Sequence, residues 1–313
     1  MKGIELSERF FTEHGLPMIQ SQFSDIMPLL AFGLIGSGSE CFGFDDDISR
    51  DHDFEAGFCI FIPDNDLIDS RTQFRLERAY ASLPKEFMGF RHSSVLPVGG
   101  NRHGVINIGD FFESKIGCRD GKLSLGNWFA IPENSLAEAV NGKIFADNYG
   151  ALTEIRALVS QMPEDVRLKK IAGKLLMMGQ SGQYNYPRCI SRGDSAAAQL
   201  SVIEFCQNAI NVIFLINRTY MPYYKWTFRA LKNLPYLSHL ADDLEYLMSS
   251  ANTSAEAKKK VAVIEKICTC IADSLRLQSL TEYGGNEAEG HAYSVNNKIK
   301  DGNIRNLHIL YAV

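Results

Sequence analysis

Residues 33–62, GLIGSGSECFGFDDDISRDHDFEAGFCIFI, place two short apolar runs on either side of a Gly-Ser turn and an acidic segment. Runs this short, bounded by Gly and Pro, fit buried strands rather than helices, so the N-terminal part of the chain has to build a sheet. The pattern predicts a strand over 31–36 and a second over 51–62. Gly57 marks a possible bulge in the second strand and Pro63 ends it. If 51–54 is extended, Asp51 and Asp53 point to one face and His52 to the other, because strand side chains alternate with a period of two. Two carboxylates so placed can share a hard divalent cation, Mg²⁺ or Mn²⁺. Such a cation is commonly completed by the phosphate oxygens of a nucleotide. A turn at Gly36-Ser37 would offer backbone N–H groups and a hydroxyl to those phosphates.

The order strand, Gly-Ser, spacer, Asp-x-Asp resembles the signature of the nucleotidyltransferase superfamily, the DNA polymerase beta-like proteins that include aminoglycoside nucleotidyltransferases. Thirteen residues separate Ser37 from Asp51 and eleven separate Ser39 from it, so either Gly-Ser pair could be the phosphate turn. Gly36-Ser37 is favoured because it directly follows the apolar run. A resemblance that runs along nearly the whole chain is carried by GSGSECFGFDDDISRDHDF, NWFAIPE, GKIFADNYGALTEIRALV and INRTYMPYYKW. These segments are similar to the DUF4037 nucleotidyltransferase-like proteins of bacteria. The resemblance implies a catalytic fold that takes ATP or another NTP, without fixing the acceptor.

Composition agrees with a folded protein of two ordinary domains: 313 residues, 45% hydrophobic and 22% charged. A net charge of -5 argues against broad attraction to nucleic acid, which would show as a basic excess. The longest apolar runs, such as VIFLI at 212–216, fall well short of the ~20 residues that span a bilayer, so no membrane partner is expected and a cytoplasmic location is. Seven scattered cysteines fit buried thiols in a reducing compartment. Cys268-Thr-Cys270, the one close pair, lacks zinc-site spacing.

The expected architecture is α+β. A nucleotidyltransferase-like mixed sheet with helices occupies residues 1–133, and an α-helical domain that closes the cleft occupies 134–313. In the first part, 5–29 reads as one or two helices interrupted near Gly15-Leu16-Pro17, 64–81 as a helix with an acidic start, and 103–108 as a strand. From about 134 onward the pattern reads as helices: 134–140, 151–161, 166–179, 194–217, 227–231, 237–248, 254–278 and from 285 on. In the long helix Val202, Phe205, Ala209, Val212 and Ile216 form a core face, and Glu204, Gln207, Asn208 and Asn211 form a polar stripe, which lines a cleft or faces solvent.

Further candidates have two meanings each. Asp45, Asp46 and Asp47 read as solvated turn residues; Asp45, Asp47, Ser49 and Asp51, at alternate positions, also suggest a calcium loop, but Gly at its sixth position and Glu at its twelfth are missing. The superfamily usually adds a third carboxylate on a neighbouring strand. Here Asn107 stands where an acid is expected, and Asp110 with Glu113 reads rather as a capping box for a helix starting at Phe111. Lys225, beside Tyr224, is a candidate for the triphosphate and Tyr224 for the base, with Pro222 starting a helix and Trp226 in the core. Arg188 and Arg192 could grip phosphate bidentately, or pair with Asp194 or cap a helix. Transfer of a nucleotide to a small-molecule or protein hydroxyl is therefore the expected chemistry. A nucleotide-binding regulatory or antitoxin-like protein without turnover is the alternative that the missing third acid suggests.

Overall fold

A computed structural model describes residues 1–47, 55–64, 67–91 and 102–313, which divide into two compact units, 1–127 with 131–161, and 128–130 with 162–313. The expected carboxylate pair Asp51 and Asp53, and His52 between them, lie outside the described residues.

The first unit opens with α1 (Gly3–Phe10), a π turn (Phe11–Gly15) and α2 (Leu16–Gln22). The expected break at Gly15-Leu16-Pro17 is therefore a change of winding rather than an interruption. Leu16 N–H reaches back five residues to the Phe11 carbonyl, and Pro17 falls in the first turn of α2, where its missing N–H costs nothing. Gly15 is needed there because a Cβ would sit 2.4 Å from the Phe58 ring. After a 3₁₀ turn at Met27–Leu29 come β1 (Ala31–Leu34), a 3₁₀ turn at Glu40–Phe42, β2 (Cys59–Ile62), α3 (Ser70–Ala81), the small hairpin β3 (Glu86–Phe87) and β4 (Phe90–Arg91), then β5 (Gly104–Asn107) and α4 (Ile108–Ile116). Next are α5 (Leu125–Ala130), α6 (Glu133–Val140), β6 (Lys143–Asp147) and α7 (Ala151–Val159). The α3 helix starts later than the sequence suggested, at Ser70, because Asp69 caps it by accepting from Thr72 N–H.

The four-stranded sheet has the order β5-β2-β1-β6, with β2 and β5 parallel across α3 and β1 antiparallel to both of its neighbours. Every residue of β1 and β2 is buried, as expected of strands covered on both faces. Phe32, Phe58 and Ile60 pack under α1, the π turn, α2 and α3, while Phe61 meets Phe111 of α4 edge-on at 5.6 Å on the other face. Two expectations need correcting. The irregularity lies in β6, where Phe145 is the extra residue opposite Phe32 and Gly33 of β1, and Gly57 precedes β2 rather than interrupting it. Gly33 fits because any Cβ would meet the Lys143 carbonyl at 2.7 Å. Residues 143–147, read as part of a helical region, are a strand: β6 is a half-buried edge whose single KIFAD alternation is too brief to stand out between helices.

The second unit is helical: α8 (Glu164–Met178), a π turn (Gly179–Asn185), α9 (Tyr186–Ser191), α10 (Ser195–Ile216), α11 (Tyr224–Leu231), α12 (Ala241–Ser249), α13 (Ser254–Leu277), α14 (Ala288–Asn297) and α15 (Gly302–Asn306). The expected face of α10, Val202, Phe205, Ala209, Val212 and Ile216, is buried in its core against α8 and α12. By length and composition α10 is the one helix among the described residues that could cross a membrane; 61% of its apolar window is buried inside the protein. The π turn repeats the first one's construction. Tyr186 N–H reaches the Ser181 carbonyl, Pro187 sits in the first turn of α9, and a Cβ on Gly182 would lie 2.3 Å from the Phe205 ring. Lys169 and Lys260 are fully buried, and among the described residues their ammonium groups bond to neutral oxygens. Lys169 Nζ donates to Asn296 Oδ1 and to the carbonyls of Arg305 and Leu307, and Lys260 Nζ to Gln199, Asn252 and the Ser250 carbonyl. Burial pulls both ammonium groups below their ordinary range.

Candidate functional site

The register fixes where the Gly-Ser turn lies in the first unit. Gly33 of β1 pairs with Cys59 of β2, so the chain leaves β1 at the end of the sheet where it enters β2. Gly36 has φ +103° and Gly38 φ +131°, a region that L side chains rarely adopt, so both glycines are required by the turn itself. Ser39 precedes the 3₁₀ turn and its carbonyl accepts from Phe42 and Phe44 N–H.

Three further side chains close on this turn. Asn141, just past α6, clasps Gly36 from both sides: its Oδ1 accepts from Gly36 N–H at 2.8 Å and its Nδ2 donates to the Gly36 carbonyl at 2.7 Å. Lys115, in the last turn of α4, donates to Ser37 Oγ at 2.7 Å and to Glu138 Oε2 at 2.6 Å, while Ser37 Oγ donates to that same Oε2 at 2.7 Å. Lys115 and Glu138 are 20% and 17% exposed. Arg156 donates to the carbonyls of Val140 and Asn141, which fixes the end of α6. Nothing in the sequence announces these partners, since Ser37 meets Lys115 across 78 residues and Glu138 across 101. The N–H and hydroxyl expected to receive phosphate are thus engaged by the protein itself.

The same end of the sheet holds Glu40 paired with Arg102, and Glu55 paired with His103 Nδ1 at 3.1 Å, with the His103 ring packed over Gly57. Cys41 and Cys59 are buried here. Burial pushes the Cys59 thiol up to about 12 and that of Cys41 well above its ordinary value, so both stay protonated and unreactive. All seven cysteines are free. Asp45, expected as a solvated turn residue, is 4% exposed; its Oδ2 accepts from Gly3 N–H and its carboxylate pairs with Lys2, which anchors the start of α1.

The opposite end of the sheet carries a second charged group. Asn107, not Asp110, caps α4, its Oδ1 accepting from the N–H groups of Gly109 and Asp110. Asp110 and Glu113 instead bind Arg119, which also makes a two-pronged contact with Asp64 at 2.8 and 3.1 Å. These carboxylates hold the Arg119 guanidinium firmly in its charged form. Among the described residues no cluster of three His, Cys, Asp or Glu is arranged to hold a metal ion.

In the second unit Tyr224 is 77% exposed and lies beside Tyr223 with ring centroids 4.2 Å apart and the rings tilted by 44°. The helix starts at Tyr224 rather than at Pro222, and Trp226 is half-buried rather than in the core, with the Lys225 ammonium 6.0 Å from its ring. Arg188 lies over the Tyr184 ring and donates to its hydroxyl at 2.9 Å, whereas Asp194 is spent capping α10. Arg192 is exposed at the end of α9. No hydrogen bond or ring contact among the described residues links Tyr224 and Lys225 to Arg188 or Arg192. Two polar groups separate in sequence do come together: Gln180, Ser181 and Asn185 of the π turn and Ser201, Glu204 and Gln207 of α10 line a groove of about 460 Å³. Asn208, from the expected polar stripe, is instead buried and bonded back to Glu204.

Residues 128–227 match the model of the family described as Domain of unknown function (DUF4037), which supports that family for this chain. The match runs from α5 into α11 and leaves the Gly36 turn outside it. No curated protein and no solved structure matches the chain.

Proposed function

We propose that the chain is a metal-dependent nucleotidyltransferase that moves an NMP, most simply AMP from ATP, onto a hydroxyl of a small molecule or protein. The observation that carries this reading is the Gly36-Ser37 turn. Two glycines at positive φ follow a buried central strand, and a serine hydroxyl and a lysine ammonium face each other there. In this reading Gly36, Ser37 and Ser39 bind the phosphates, and Asn141 must release the Gly36 N–H as they do so. Asp51 and Asp53 are a donor set suited to Mg²⁺ or Mn²⁺, hard cations that prefer carboxylate and phosphate oxygens. When bound, the cation would neutralise charge building on the phosphates. The acceptor oxygen forms a bond to the α-phosphorus, the bond to the bridging oxygen breaks, and pyrophosphate leaves while the hydroxyl proton passes to solvent. Tyr224, Lys225, Arg188 and Arg192 of the second unit are all exposed, as a residue that contacts a base or phosphate must be.

One observation favours the binding-only alternative. Asp110, the candidate for a third acid, lies at the opposite end of the sheet from the Gly36 turn and is paired with Arg119. Calorimetry with each NTP, with and without Mg²⁺, on wild type and Asp53→Ala, together with an assay for pyrophosphate release, tests the reading. Metal-dependent binding lost in the variant, with pyrophosphate released by wild type, is the expected result. Binding without release would leave the regulatory reading, and no binding of any NTP would reject both.

A further inference from the structure

We propose that Lys115 is a phosphate-binding residue of the Gly36-Ser37 turn and that Glu138 is a resident anion which the incoming phosphate displaces. This rests on the nucleotide reading for its natural ligand, though not for the anion chemistry. A single oxygen, Glu138 Oε2, receives both the Lys115 ammonium at 2.6 Å and the Ser37 hydroxyl at 2.7 Å. A phosphate oxygen in that place would receive the same two bonds. Lysine suits the task, as a compact point charge that a phosphate can approach from several sides.

The position of Glu138 has no separate explanation in its own helix. It stands in the last turn of α6, Glu133–Val140, where the negative end of the helix dipole opposes an anion. Lys115 sits in the last turn of α4, where the same dipole favours a cation. The pair is balanced one to one, so removing the carboxylate from the contact leaves a cation facing a serine hydroxyl beside a turn that only glycine can make. The Lys115 stem also passes the turn closely, with Cε 3.7 Å from where a Gly36 Cβ would lie. The site therefore binds phosphate against an internal competitor, and its affinity is set partly by how readily Glu138 gives way.

The test uses the full chain with inorganic tripolyphosphate in the absence of metal, and ATP with Mg²⁺, titrated into wild type, Glu138→Gln and Lys115→Met. Circular dichroism and thermal unfolding check each variant, and if Lys115→Met does not fold, Glu138→Gln decides alone. Glu138→Gln keeps the shape but weakens the competitor, so tripolyphosphate should bind about tenfold tighter, the equivalent of one lost charge-assisted contact. Lys115→Met should lose that binding. Tripolyphosphate that follows both substitutions while ATP yields no pyrophosphate supports the anion site and rejects the transferase reading. Metal-dependent ATP binding that is indifferent to both substitutions overturns the role of Lys115 and leaves the transferase reading standing. If neither wild type nor Glu138→Gln binds either probe, both fall.

Discussion

The two ends of the first unit's sheet solve the same problem differently. At the Gly36 end one lysine meets one glutamate, both largely buried, and a serine hydroxyl completes the contact. At the Asn107 end one arginine is shared by three carboxylates, Asp64, Asp110 and Glu113, with the guanidinium and two of the three acids substantially exposed. Surplus negative charge at the second end means that losing any one carboxylate leaves the cation still paired. At the first end Lys115 and Glu138 are matched one to one, so an exchange of anions changes the charge that the turn presents. Burial adds to the difference, since salt screens an exposed cluster more than a largely buried pair.

The largest effect that would break this contrast is expected from Gly36→Ala. The substitution forces φ +103° on an L residue and brings its Cβ to 3.3 Å from Phe111, which should cost about 1–3 kcal/mol in chemical denaturation. No loss would mean that the turn relaxes easily and is not a preformed cradle. Arg119→Ala, at the opposite end, should move the denaturation midpoint only slightly, and the change should shrink further at 1 M salt as the exposed carboxylates are screened. A loss as large as that of Gly36→Ala, unchanged by salt, would make the two ends equivalent.

The smallest effect is a pH signature from the reverse arrangement, one carboxylate held by two arginines in the second unit. Hydrogen bonds from Arg167 first, and from Arg218, draw the Glu164 carboxyl from 4.5 down to about 2. Because the folded state releases this proton more readily than the unfolded state, its contribution is present above pH 4.5 and is lost as pH falls from 4.5 to about 2. Thermal unfolding of wild type and Glu164→Gln across that range should converge toward acid pH. Parallel curves would show that the pair adds nothing.

Local rules made much of this legible before any coordinates. Strands β1, β2 and β5 follow from short apolar runs, and the α10 core face from its spacing, because each signal is complete within one segment. Asn107 is the strand residue that the sequence suggested, the last of β5, but its second role as the cap of α4 was not legible, because only the bonds to Gly109 and Asp110 reveal it. Lys115, Glu138 and Asn141 were invisible for a different reason. Lys115 and Glu138 sit in the last turns of α4 and α6 and Asn141 just past α6, as ordinary surface residues would, and they become neighbours of Ser37 or Gly36 only once these elements are laid against the sheet. The same blindness applies to Lys169 and Lys260, whose burial depends on oxygens contributed by distant turns.

The paired π turns have a consequence for how this chain tolerates changes in length. A π turn accommodates one residue more than the α-helical path it replaces, and one residue corresponds to about 100° of rotation around the axis. Deleting a single position within Phe11–Gly15 or Gly179–Asn185 would let the helix wind regularly, yet would swing everything after it by more than a quarter turn. Leu16 to Gln22 would present a different face to the sheet, and Arg188 would be carried around α9. At these two places the phase of the following helix is encoded by residue count, so a neutral-looking indel would be felt far more than a substitution at the same site.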